Sequence, residues 1–86
     1  MPRIAEFYGI VIGMYYDDHG VPHFHAAYGE DEASIGIDSA TLLGGELPAR
    51  ALRLVLEWAR LHREELIEDW SLARDRKPLR RIDPLD

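Results

Sequence analysis

Bulky residues alternate along the first third of the chain and recur at helical spacing along its second half. From Phe7 to Tyr16 the even positions Tyr8, Ile10, Ile12, Met14 and Tyr16 are large, while the odd ones include Gly9 and Gly13. A period of two predicts a strand with one heavy face and one thin face. Asp17-Asp18-His19-Gly20-Val21-Pro22 predicts a turn, because Asp and Gly accept turn dihedrals and Pro22 cannot donate to a sheet ladder. His23 to Tyr28 then reads as the return strand of a hairpin, with Phe24, Ala26 and Tyr28 on one face and His23, His25 and Ala27 on the other. Gly29-Glu30-Asp31 predicts the next turn. Ala33 to Asp38 follows as a strand with Ile35 and Ile37 on one side and Ser34, Gly36 and Asp38 on the other, and a short fourth strand is expected around Thr41 to Leu43, ending at Gly44-Gly45.

Beyond that glycine pair the period changes. Pro48 suits the first position of a helix, where its missing N–H is not needed. Leu52, Val55, Trp58, Ala59, His62 and Leu66 fall on one helical arc, but a straight continuation would place Glu65 and Asp69 in the apolar stripe. The pattern therefore predicts two helices or one sharp kink, over about 48 to 62 and 63 to 76. Glu64, Glu65, Glu68 and Asp69 stand where the second helix begins, and Arg74, Arg76 and Lys77 where it ends, as the helix dipole favours. Lys77-Pro78 stops it. Residues 78–86 are expected to form an extended tail whose Leu79, Ile82 and Leu85 dock on the sheet or on a partner. The expected architecture is α+β: a three- to four-stranded antiparallel meander packed on a C-terminal helical pair, ββββαα.

At 86 residues and 47% hydrophobic content, the chain suits a single domain, 1–86, with one core near the size where folding needs reinforcement. Cysteine is absent, so reinforcement would come from a partner, a second copy or a histidine-bound metal rather than a disulfide. No apolar run is long enough to cross a bilayer, and Met1-Pro2-Arg3 lacks the apolar core of a secretory signal. A cytoplasmic protein is expected. The net charge of −6 is unevenly spread: residues 1–47 hold eight acids and one arginine, residues 48–86 nine bases and eight acids. Such a field repels phosphate and disfavours direct nucleic-acid binding. Arg50, Arg53, Arg60 and Arg63 read as a solvated helix face.

Candidate chemistry concentrates in one place. His19, His23 and His25 put three of the four histidines within seven residues, beside Asp17 and Asp18. Histidines two apart on a strand share a face, so His23 and His25 can approach one ion together, with His19 and a carboxylate such as Asp18 completing the set. Imidazole and carboxylate donors without thiolate suit a divalent metal such as zinc, or iron, manganese or nickel. The same His23 and His25 could instead act as general acid and base of a metal-free ribonuclease, with Tyr8, Tyr15, Tyr16 or Tyr28 orienting a phosphate. A third reading is structural, since histidine beside aspartate also serves turns and interfaces. Gly9, Gly13, Ala27, Ser34 and Gly36 leave the thin face approachable by a partner chain, a ligand or the tail. His62, Trp58 and Trp70 read as core or boundary residues.

Ile4-Ala5-Glu6-Phe7-Tyr8-Gly9-Ile10, Asp18-His19-Gly20-Val21-Pro22-His23-Phe24-His25-Ala26-Ala27-Tyr28-Gly29, Leu47-Pro48-Ala49-Arg50-Ala51, Trp58, Glu64-Glu65-Leu66 with Trp70, and the closing Pro78 to Leu85 together resemble the small bacterial domain of unknown function 4160. The Pro-His-Phe-His core carries the resemblance. Val21 departs from the pattern, standing where many relatives have a second proline. The resemblance implies no agreed activity and no catalytic residues. It implies a role in a toxin-antitoxin-like gene pair, with a small partner protein similar to the domain of unknown function 2442. The leading expectation is thus a protein-binding component, the toxin member of the pair being one option, that engages its partner through the thin face or the tail. The alternatives are the metal protein, hydrolytic or not, and the metal-free ribonuclease.

Overall fold

The computed structural model describes residues 1–86. Five strands precede two helices: β1 Arg3–Phe7, β2 Ile10–Gly13, β3 His23–Tyr28, β4 Asp31–Gly36, β5 Leu42–Gly45, α1 Ala49–Leu61 and α2 Arg63–Arg74. The strands form one antiparallel sheet in the order β1-β2-β3-β4-β5. The ββββαα arrangement therefore holds with one more strand than expected. The extra strand arises because Phe7 to Tyr16 is not one strand. Tyr8 and Gly9 both take positive φ, 50° and 79°, the geometry of a tight two-residue hairpin, and they fold β1 onto β2 with Phe7 opposite Ile10. Tyr8 consequently leaves the heavy face and lies 55% exposed, whereas Ile10, Ile12 and Met14 are buried.

The period of two decides what each face carries. Phe24 and Ala26 pair with Ile35 and Ala33, and with Ile4, Ile10 and Ile12 they form the sheet's contribution to the core. The helices cover that face. Trp58, fully buried, sets its ring 5.4 Å from Phe7 and 5.8 Å from Phe24. Ala51, Val55, Ala59, Leu66 and Trp70 continue the helical side of the core. The helices break at His62, as the pattern predicts. Its Nδ1 lies 2.6 Å from Glu65 Oε1, and its ring lies 5.5 Å from that of Trp58. Pro48 is the N-cap of α1 rather than its first residue.

The tail docks on its own chain. Ile82 is buried, its N–H donates to Ile4 O along the outer edge of β1, and Asp83 O accepts the indole N–H of Trp58. Further up the tail, Arg80 N–H donates to Asp69 Oδ1. On the thin face, a Cβ added at Gly13 would lie 2.5 Å from Met1 and from Pro2 O, so the N-terminus covers that position. No helix is long and apolar enough to cross a membrane.

Candidate functional site

Alternation along β3 sends His23 and His25 to the face opposite Phe24, where α2 reaches only the His23 end, through Trp70. Residues 14–22 connect β2 to β3 and return Asp18 over the same face. Three ties hold this connection: Met14 N–H to Pro2 O, Ile37 N–H to Pro22 O, and an ion pair from Arg76 to Asp17. Asp18 Oδ2 lies 3.1 Å from His23 Nε2 and 2.8 Å from His25 Nε2. The three donor atoms all fall within 4.8 Å of one another. Both imidazoles are only 12% exposed and the Asp18 side chain 27%, so water screens the group incompletely.

The remaining ring nitrogens are oriented from behind. His23 Nδ1 donates to Val21 O at 2.8 Å. His25 Nδ1 lies 3.4 Å from Ser34 Oγ and 4.0 Å from Glu32 Oε2. Aromatic rings flank both imidazoles, Tyr15 perpendicular to His25 at 4.7 Å and Trp70 tilted against His23 at 5.1 Å. Backbone, hydroxyl and carboxylate partners on the far nitrogen are how proteins set the tautomer of a ligating histidine.

The hydrogen count is informative. A carbonyl can only accept, so His23 carries its proton on Nδ1 and turns the Nε2 lone pair toward a carboxylate that also accepts. Two acceptors 3.1 Å apart are held together only with a proton or a metal ion between them.

Three of the four expected ligands, Asp18, His23 and His25, therefore come together. His19 does not join them. It is exposed and lines an open groove with Val21, His23, Ser34, Leu43 and Gly44. Of the four tyrosines weighed for substrate orientation, Tyr15 stands against the cluster, while Tyr8 and Tyr28 flank the start of α1. Ser34 and Glu32 were not singled out as site residues from sequence. Their signal was the alternation itself, since β4 places Ser34 opposite His25.

Fold and site together define a small α+β protein in which a five-stranded meander carries a two-histidine, one-carboxylate cluster on the face opposite Phe24. The family model for a domain of unknown function, DUF4160, matches residues 9–71, and the chain belongs to that family. No curated protein and no solved structure matches the chain.

Proposed function

We propose that Asp18, His23 and His25 form a divalent-metal centre. The observation that carries this reading is the convergence of two Nε2 atoms on one carboxylate oxygen at 2.8 and 3.1 Å, with His23 Nδ1 already committed to a carbonyl. A metal at about 2.0–2.2 Å from nitrogen and oxygen donors would take the place of the proton between His23 Nε2 and Asp18 Oδ2. Three protein ligands leave a position for water or substrate, the pattern of catalytic zinc and of non-haem iron rather than of a closed structural site. His23 also lines an open groove beside the cluster, and an activated water there fits a hydrolytic role.

The test is metal titration of untagged protein with zinc, iron(II), manganese and nickel, followed by calorimetry and elemental analysis. One equivalent is expected for wild type and for His19→Ala, and none for the His23→Ala/His25→Ala double variant. Absence of stoichiometric metal under every condition returns the cluster to a structural role.

A second reading is favoured by a different observation. The tail is used within the chain, but the outer edge of β5 has no neighbouring strand. That leaves the sheet as the surface for the partner expected of a protein-binding component of a two-gene toxin-antitoxin-like module. Co-expression with the neighbouring gene product should yield a complex, and a protein that remains monomeric alone and beside that product refutes the reading.

A further inference from the structure

The two edges of the sheet are treated differently. The outer edge of β1 is met by Ile82, whose N–H donates to Ile4 O. The outer edge of β5 has no neighbour. All four of its residues, Leu42-Leu43-Gly44-Gly45, are exposed, with Leu42 at 43% and Leu43 at 48%. The strand is only four residues long and its pairing with β4 shifts register between Ser34 and Ile35, but it carries neither proline, lysine nor an inward charge to block a further strand. Gly44 has open space where a side chain would stand.

Charge is concentrated at one end of this edge. Glu46 N–H donates to Glu32 O, which sets Glu46 beside β4, and Glu30 and Asp31 follow along the same hairpin. Asp17, Asp38 and Glu6 have arginine partners, but Glu30, Asp31 and Glu46 have none, and Glu32 reaches only His25 at 4.0 Å. A second copy is poorly suited to answer these carboxylates, because no Lys or Arg occurs between Arg3 and Arg50. Its own β5 would bring more acid.

We infer that the free edge of β5 and the carboxylates at its Gly45 end dock an extended, basic segment of a partner protein, which joins the sheet as a sixth strand. Main-chain hydrogen bonds to β5 supply the pairing, and the carboxylates select Lys or Arg in the added strand. The inference rests on the partner-binding reading above and does not require a metal in the cluster.

The experiment selects a random peptide display library on the wild-type protein and maps synthetic versions of the enriched peptides by amide chemical shifts. Enrichment in Lys or Arg among β-branched residues is expected, with shifts in Leu42–Gly45 and affinity that falls as salt rises. Leu43→Lys, which places a like charge on the edge, should weaken binding by about tenfold or more. Exchanging the peptide's Lys for Glu should abolish it. Peptides that shift only residues outside β5 overturn the edge inference and leave the partner-binding reading standing, whereas no enrichment at all overturns both. A concentration-dependent dimer whose β5 amides shift on self-association also overturns the inference, since the occupant is then a second copy.

Discussion

Replacing Ile82 with alanine tests whether the tail is part of the domain or an ornament on it. Ile82 is 4% exposed and belongs to the same core cluster as Ile4 and Trp58. The substitution removes three buried carbons. At about 0.8 kcal/mol per methylene the transfer loss is roughly 2.4 kcal/mol, and the cavity left behind adds to it, within the range of about 2–5 kcal/mol found for buried Ile to Ala changes. Ile82 lies at the sheet edge, where the tail can settle inward, so the lower half of that range is expected, about 2–3 kcal/mol. The backbone bond to Ile4 survives, because alanine keeps its N–H. For a chain of 86 residues, total stability is of order 4–13 kcal/mol, and the loss takes a large share of it. It should lower the melting midpoint by roughly 10–20 °C.

Urea unfolding followed by tryptophan fluorescence measures this directly, because Trp58 donates its indole N–H to Asp83 O. The slope with urea should be unchanged and the midpoint lowered. Leu79→Ala and Leu85→Ala, at half-buried positions packed on the same cluster, should cost about 1 kcal/mol each. A loss at Ile82 no larger than theirs would refute the assignment of the tail to the core.

Other consequences are as specific. Asp69 is buried with Oδ2 lacking a partner, and desolvation raises its pKa although the Arg80 N–H opposes the shift. The folded state then holds the Asp69 proton more tightly than the unfolded one, so relative to Asp69→Asn the wild type should lose stability as pH rises from the ordinary Asp value near 3.9 through the elevated one, and stay level above it. Urea midpoints of the two proteins across pH check the sign. A divalent metal at a hundred times its Kd should stabilise wild type and His19→Ala by about 2.7 kcal/mol, a gain that thermal melts should find missing in Asp18→Asn/His25→Ala. Gly45→Ala should destabilise β5, since its φ is +73° and the added Cβ would lie 2.2 Å from Glu32 O. Gly44→Ala meets nothing and should be tolerated, a contrast that amide exchange across β4 and β5 would register.

Much of the fold is written in periods that sequence displays. His23 to Tyr28 forms a strand over its expected span, and the helix break falls at His62, because the apolar arc there runs into Glu65 and Asp69. The missed hairpin at Tyr8-Gly9 has a physical cause. A tyrosine at positive φ is uncommon, and the alternation of bulky residues passes through the turn without interruption. Strand ends shifted for a similar reason: β4 begins at Asp31, an acid that alternation alone assigns to the turn. In the site, period two places His23 and His25 on one face, but no local rule says that a connection of nine residues returns Asp18 over them and leaves His19 outside. That depends on Arg76, at the far end of the chain, reaching Asp17.

The two faces of β3 make site and core interdependent. Phe24 and Ala26 must point into the core, so the histidines must point out of it, and a slip of one residue would bury both imidazoles and expose Phe24. The histidine geometry is therefore set by hydrophobic burial on the other side of the same strand. His23 adds a second link, since its ring lies 5.1 Å from that of Trp70 on α2. Asp18 comes from a connection held by Pro2, Ile37 and Arg76, residues remote from one another in sequence. None of these ties exists in the unfolded chain, so the three donor atoms converge only when sheet, helix and termini have assembled. A metal that binds them should then favour the folded state, and its affinity should fall with any substitution that loosens these ties, even one such as Arg76→Ala that touches no ligand.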